Sequence, residues 1–207
     1  MKIRTKHKRT IAVLTAIMLL LSTTIIASAD YTNFPPKGYG RYHTYTIWDG
    51  INWGGDCRQL INYGRANDLI SDSYGIVTYG GYFAAATTTT LGQVGDLLLV
   101  VEEDGIIYPV IVQDIKSQGD YGCNAWGHLN GGCMIEFEIL RSMRWSLYHG
   151  SGSWISEQIN RPIYKVINLG SIYSENDYYF KNIKQACIDY GLSGYYLLTS
   201  PYGGEYV

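Results

Sequence analysis

The residues best suited to chemistry lie between positions 106 and 140. Asp114 ends one run of β-type residues, and Glu136 lies in a second run. Two carboxyl groups on neighbouring strands are the minimum needed to cleave a glycosidic bond, because one must donate a proton to the leaving oxygen. Partial shielding at a strand end raises the pKa of a carboxyl group, which suits a proton donor. The pattern therefore predicts Asp114 and Glu136 as catalytic residues.

These carboxylates also have a plainer interpretation. An Asp at the end of a strand often caps a turn, and Glu136 and Glu138, which alternate with apolar residues, can mark a face turned to solvent. Spacing alone favours this plainer interpretation. The catalytic hypothesis therefore requires that Asp114 and Glu136 meet in space.

The loop between the two runs holds the predicted substrate contacts Lys116, Asp120, Trp126 and His128. His128 can orient a substrate or transfer a proton, and it can equally be an ordinary turn residue. Trp126 can stack on a sugar ring or anchor the loop. The sequence leaves both pairs of alternatives open.

Four cysteines follow the N-terminal region, at Cys57, Cys123, Cys133 and Cys187. An even number in an exported chain predicts disulfides, and of the three arrangements we favour Cys123 with Cys133 and Cys57 with Cys187. The spacing Cys123-x4-His128-x4-Cys133 also resembles part of a zinc knuckle, with Asp120 in place of the first cysteine. An oxidising compartment favours the disulfide, so no metal and no cofactor is expected.

Residues 1–29 read as a secretory signal peptide. A basic leader precedes the apolar run Ile11–Leu21, and Ala27-Ser28-Ala29 fits a small-residue cleavage site. The alternative is an uncleaved membrane anchor, but the apolar run is short for a span. We therefore expect a secreted, extracellular chain with no stable membrane insertion once the signal is cleaved.

Cleavage after Ala29 would leave 178 of the 207 residues, enough for one domain with a core. Removing five basic residues leaves 11 Lys and Arg against 18 Asp and Glu, a net charge of −7. Nucleic-acid binding needs clustered positive charge, so nucleic acid is excluded as the expected partner.

The elements that must position these residues are mostly strands. Residues 30–55 read as an irregular arm with a strand at Tyr42–Trp48, and residues 56–207 as one β-barrel domain. Helices are predicted at Cys57–Asn67 and Tyr178–Tyr190, and a third helix or loop at Arg141–Gly152. The remaining predicted strands are Tyr74–Val77, Tyr82–Thr88, Asp96–Glu102, Ile106–Gln113, Met134–Leu140, Pro162–Leu169 and Tyr195–Thr199. Thr87–Thr90 is expected to be an exposed strand end.

Two stretches resemble a known family, VGDLLLVVEEDGIIYPVIVQDIKSQGD and WGHLNGGCMIEFEI. They are similar to the double-psi β-barrels of bacterial cell-wall proteins, namely the three-aspartate domain and the barrel of membrane-bound lytic transglycosylase A. Rare lipoprotein A and expansins are more distant relatives of the same barrel. Asp114 matches the first acidic position of the family pattern, Gly131-Gly132 its glycine turn, and Glu136 its second acidic position. The turn after Asp114 departs from the family's Asp-Thr-Gly-Gly.

The resemblance implies a six- to seven-stranded double-psi β-barrel with two or three peripheral helices. It further implies a wall-associated protein that cleaves peptidoglycan strands, with Asp114 as the general acid. The alternative is an expansin-like or lectin-like protein that binds a cell-wall polysaccharide without cutting it. In that case Tyr39, Tyr42, Trp48 and Trp53 would form the aromatic platform. A third alternative is a structural or interaction protein that uses the barrel only as a scaffold.

Overall fold

A computed structural model describes residues 31–143, 158–159, 161–174, 178–201 and 203–207. The predicted signal peptide at 1–29 and residues 144–152 of the third predicted helix lie outside these ranges. The beginning of that segment, Arg141–Met143, is a short 3-10 helix. Within the described ranges, no helix is both long enough and apolar enough to span a membrane.

The chain is mainly β, as predicted, and its strands form one mixed sheet. The strands are β1 Tyr31–Asn33, β2 Tyr42–Ile47, β3 Ile70–Ser71, β4 Thr78–Tyr79, β5 Tyr82–Thr87, β6 Asp96–Glu102, β7 Ile106–Ile115, β8 Cys133–Ile139, β9 Ile163–Ser171, β10 Tyr196–Ser200 and β11 Gly203–Tyr206. Three α-helices accompany them in the described ranges: α1 Gly55–Ala66, α2 Tyr178–Lys181 and α3 Ile183–Asp189.

The sheet is larger and more open than the predicted barrel. Its main path runs β1-β9-β6-β7-β5-β4-β3, while β8 and β2 branch from β5, and β10 and β11 branch from β7. Pairings among the described residues do not close this path. The prediction of six or seven strands is too low, because β1, β3, β4 and β11 have only two to four residues, too few for a hydrophobic period to appear. The strand predicted at Tyr74–Val77 is also wrong, since that segment forms only an isolated bridge, between Ile76 and Ile139, and the strand itself begins at Thr78.

Alternation along the strands divides the apolar side chains between two cores. Phe83 and Ala85 of β5 belong to the first core, whereas Tyr82 and Ala84 belong to the second. The strands of the sheet centre are therefore buried on both faces, which explains why β6 is an almost continuous apolar run. Helix α1 contributes Leu60 to the second core, and α3 contributes Ala186 and Cys187.

Helix α1 lies close against the sheet because of a glycine. A Cβ at Gly64 would lie 2.5 Å from the ring of Tyr79, a residue of β4 that pairs with Tyr82 of β5. Gly64 weakens the helix intrinsically but permits this contact. The predicted helix at Cys57–Asn67 is thus confirmed to within two residues, with Asp56 in its first turn rather than at its cap.

The predicted C-terminal helix is interrupted. Asn182 has φ −135° and ψ 61°, which separates α2 from α3. Its side-chain amide donates to the carbonyl oxygen of Tyr178 at 2.9 Å. An asparagine that bonds its own backbone in this way competes with helix continuation.

The N-terminal segment is not a separate arm. Strand β1 pairs antiparallel with β9, and β2 pairs in parallel with β8 from Tyr42 to Ile47. Strands β1 and β2 are therefore part of the same sheet as Glu136. This parallel pair brings the threonines of β2 beside the acidic residues of β8.

Glu102, at the end of β6, is a buried acidic residue, and its burial can be tested through the pH dependence of stability. Only 1% of it is exposed, and desolvation together with the charge of Asp104 raises its pKa to about 8. The folded chain therefore binds this proton more tightly than the unfolded chain, and stability falls as pH rises from about 4.5 towards 8. At roughly 1.4 kcal/mol per pKa unit, the loss from this group by pH 7 is about 3 kcal/mol.

We expect Glu102→Gln, which is neutral at every pH, to lose less unfolding free energy than the wild type between pH 4.5 and 8 in urea titrations. The exposed neighbour Glu103 provides the control, because Glu103→Gln should leave the wild-type pH dependence unchanged. Equal pH slopes for Glu102→Gln and the wild type would contradict the buried, proton-binding state of Glu102.

Candidate functional site

Strand pairing brings Asp114 and Glu136 to either side of one residue. Ala86 of β5 pairs in parallel with Asp114 of β7 and antiparallel with Glu136 of β8. Two strand spacings separate the acidic residues, about 10 Å between their Cα atoms. The two acidic residues therefore do not lie on neighbouring strands, as the sequence suggested, but on the two strands that flank β5.

Glu136 is nearly buried and fully engaged. Lys116 Nζ lies 3.0 Å from its Oε1 atom, and His128 Nδ1 lies 3.6 Å from its Oε2 atom. The hydroxyl of Thr46 donates a further hydrogen bond to Oε1. Three side chains from β2, the end of β7 and the loop thus converge on one carboxylate.

Asp114 is only half-buried and less engaged. Its Oδ1 atom accepts a hydrogen bond from the backbone N–H of Ile115 at 2.9 Å and from the thiol of Cys57 at 3.5 Å. Burial and the charge of Asp114 raise the pKa of Cys57 to about 11, so the thiol keeps its proton and acts as the donor. Among the described residues, none donates a hydrogen bond to Oδ2 of Asp114.

Glu138 is a third carboxyl group behind the other two. It is fully buried, and neither oxygen has a hydrogen-bond partner among the described residues. Burial raises its pKa well above the ordinary value, and the charges of Asp114 and Glu136 raise it further. Burial therefore favours the neutral form of Glu138 over the charged one.

The loop that carries His128 is fixed by a close backbone contact. A Cβ at Gly127 would lie 2.1 Å from the carbonyl oxygen of Cys133, at the start of β8. The carbonyl of His128 then accepts the N–H groups of Gly131 and Cys133, both at 3.0 Å. Only glycine allows this approach, which sets His128 beside Glu136.

The prediction of an exposed strand end at Thr87–Thr90 is wrong for the first two threonines, whereas Thr89 is exposed and Thr90 is half-buried. Thr87 and Thr88 are fully buried. The Thr87 hydroxyl donates to the carbonyl of Met134, and the Thr88 hydroxyl donates to that of Ala125. The threonines thus bind the loop and β8 to the end of β5, a role that their β-branching did not reveal.

The other predicted contacts divide into two groups. Trp126 packs against the first core, and its backbone N–H donates to Asn124 Oδ1 at 2.8 Å, which supports the loop-anchor alternative. Asp120 is exposed in a turn, where its carbonyl accepts the N–H of Cys123. No described contact joins Asp120 to Glu136 or Asp114.

All four cysteines are free in the structure, so neither favoured disulfide is formed. Cys57 bonds to Asp114, and Cys133 is buried and lies 3.2 Å from the Thr44 hydroxyl. Cys187 is buried in the second core. Among the described residues, no three His, Cys, Asp or Glu side chains come together as a metal site.

The aromatic residues expected to form a platform do not share one exposed surface. Tyr39 packs against the first core and Trp48 against the second. The indole N–H of Trp53 donates to the carbonyl of Trp48 at 3.2 Å, whereas Tyr42 is exposed.

Sequence reasoning missed three members of the site, Thr46, Cys57 and Glu138. Thr46 could not be expected at the site, because the sequence assigns residues 30–55 to an irregular arm and not to the sheet that carries Glu136. Glu138 was taken as a solvent-facing residue because it alternates with apolar neighbours. That alternation marks two different interiors here: Ile135 and Phe137 enter the first core, and the glutamates face the other way.

Comparisons with protein-family models, curated proteins and solved structures find no match for the chain.

The contact between Lys116 and Glu136 can be tested against a matched surface pair. Lys116→Met would leave a nearly buried carboxylate without its cation, so we expect a loss of about 1–3 kcal/mol in unfolding free energy at pH 7. Urea unfolding of the wild type and the variant measures this loss.

Lys184→Met is the control. Lys184 lies 2.7 Å from Glu205, but the two side chains are 44% and 55% exposed, against 19% and 12% for Lys116 and Glu136. An exposed pair contributes about 0–1 kcal/mol. Equal losses in the two variants would show that Glu136 does not depend on Lys116.

Proposed function

We propose that this protein is a secreted, wall-associated enzyme that cleaves the glycan strands of bacterial peptidoglycan by acid catalysis. The observation that carries the proposal is the pairing of Asp114 and Glu136 with the same residue, Ala86. It puts two carboxyl groups, each in a different environment, at one end of three neighbouring strands. Different environments are what separates an acid from a charge-stabilising carboxylate in glycosidases.

Asp114 is the proton donor in this proposal. Its Oδ1 atom is held by the Ile115 N–H and the Cys57 thiol, which orients the carboxyl group and leaves Oδ2 to carry the proton. Protonated Oδ2 would donate to the glycosidic oxygen as the bond to the anomeric carbon breaks. The sugar's own hydroxyl would then attack the anomeric carbon, as the family resemblance implies, and would give its proton to Asp114, which is a carboxylate after the first step. The proton balance therefore closes without a second catalytic base.

Glu136 is the charge-stabilising carboxylate. Lys116, Thr46 and His128 fix its position. Positive charge develops on the sugar ring in such reactions, and a preorganised carboxylate stabilises it. Glu138 is consistent with this division, because burial raises its pKa well above the ordinary value and so disfavours a second charge beside Glu136.

For the fold, we propose that the open sheet is related to the double-psi β-barrel. Two parallel pairs, β2 with β8 and β5 with β7, are joined by the antiparallel pair β5 with β8. A simple meander contains no parallel pairs. This arrangement supports the resemblance on which the glycan-cleaving activity rests.

The second candidate is a non-catalytic wall binder. It is favoured by the complete engagement of Glu136, because a carboxylate held by a lysine, a threonine and a histidine also fits a purely structural ion pair. Such a protein would bind peptidoglycan without releasing any fragment.

Purified sacculi distinguish the two candidates. The protein should release soluble muropeptides, detected by mass spectrometry, and Asp114→Asn should lower the rate by about 100-fold or more because it removes the acid. Asp72→Asn, on an exposed turn outside the site, should keep the wild-type rate. Binding to sacculi with no release by the wild type would support the wall binder instead, and equal rates for wild type and Asp114→Asn would exclude Asp114 as the acid.

A further inference from the structure

A separate cleft of about 690 Å³ opens at the other end of β7. It is lined by the turn between β6 and β7 and by β10 and β11, including Ile106. Ile106 and Asp114 are eight residues apart on one strand, roughly 26 Å. The cleft is therefore distinct from the site around Asp114, and its volume lies in the range typical of small-molecule sites.

Three tyrosines line this cleft, Tyr195, Tyr196 and Tyr206. Strand pairing sets two of them side by side, since Tyr196 pairs with Tyr206 on one side and with Ile106 on the other. Their rings meet edge to face with centroids 5.1 Å apart, and the Tyr196 hydroxyl accepts the N–H of Gly204. The aromatic wall is thus preformed, and Tyr206 is 71% exposed on it.

The rest of the cleft lining is polar, and the hairpin turn holds part of it in place. Asp104 Oδ1 accepts the N–H of Ile106 at 3.2 Å, and Oδ2 lies 3.8 Å from Arg161 Nε. Glu103 is exposed at the cleft, and Gln158 adds an amide. These groups offer hydrogen-bond acceptors and, through the amide, donors as well.

We propose that this cleft binds a neutral oligosaccharide. Tyrosine gives a large apolar face with a polar tip, which suits a sugar ring, and the carboxylates and amide suit its hydroxyl groups. The charges of Glu103 and Asp104 disfavour an anionic ligand. The inference does not depend on cleavage at Asp114, because it rests on residues at the far end of β7.

The probe is the β-linked hexamer of N-acetylglucosamine, titrated into the isotope-labelled chain and followed by NMR. We expect the resonances of the three tyrosines to shift, with those of Lys116 and His128 unaffected at the concentrations that saturate the cleft. Tyr206→Ala should raise Kd at least tenfold. Glu103→Gln, which replaces an exposed carboxylate, should also weaken binding and guards against a folding defect in the tyrosine variant.

Two controls keep this test separate from the proposed cleavage. Tyr164→Ala removes an exposed tyrosine with a similar edge-to-face partner, Phe34, outside the cleft, and should leave Kd unchanged. Asp114→Asn should also leave it unchanged, even if it abolishes muropeptide release. The proposal is overturned if Tyr206→Ala and Glu103→Gln both bind like the wild type, or if the tyrosine resonances stay fixed. It is also overturned if choline, a quaternary ammonium cation that aromatic rings can bind, shifts these resonances at lower concentration than the hexamer.

Discussion

The architecture of the candidate site depends on one nearly buried carboxylate and its cation. Glu136 has lost most of its contact with water, and the pairing with Lys116 at 3.0 Å supplies the compensation. That single contact has consequences for three parts of the chain. Lys116 must follow β7 directly, Thr46 must be brought in on β2, and the loop must return to set His128 on the other oxygen. A buried charge tolerates few alternatives of this kind, since removing one partner leaves the other uncompensated.

The same face of the sheet concentrates every ionisable group of the site, and strand alternation is the reason. Along β8, Ile135, Phe137 and Ile139 enter the first core, so Glu136 and Glu138 must face the other side. Cys57 of α1 meets Asp114 there. The three carboxyl groups lie at different depths: Asp114 is half-buried, Glu136 is nearly buried beside a cation, and Glu138 is fully buried, where desolvation raises its pKa well above the ordinary value. Similar side chains thus meet different environments without any change of residue type.

Much of the sheet could be predicted from the sequence, because its central strands combine apolar runs with clear turns. The bounds of β6 match the prediction, and those of β5, β7 and β8 differ by one or two residues. Long-range strand pairing could not be predicted from the sequence. Nothing in Tyr42–Ile47 indicates β8 as its neighbour, so the contact of Thr46 with Glu136 could not be predicted either. Burial was misread where polar residues face the interior, as at Thr87, Thr88 and Glu138, because polarity normally signals solvent. The two disulfides are predicted from the even number of cysteines and from the expected oxidising compartment. Neither criterion says whether two sulfur atoms lie close enough to bond.

The free thiols have a further meaning for the chemistry of the chain. Burial raises the pKa of Cys57 and Cys133 to about 11, and that of Cys187 to about 12. The raised pKa keeps these sulfur atoms mainly in the thiol form at neutral pH, and it is the thiolate that reacts with peroxides and disulfides. Burial therefore lowers the reactivity of these cysteines. A sulfur atom beside a carboxyl group can then serve as a weak hydrogen-bond donor, because it keeps its proton.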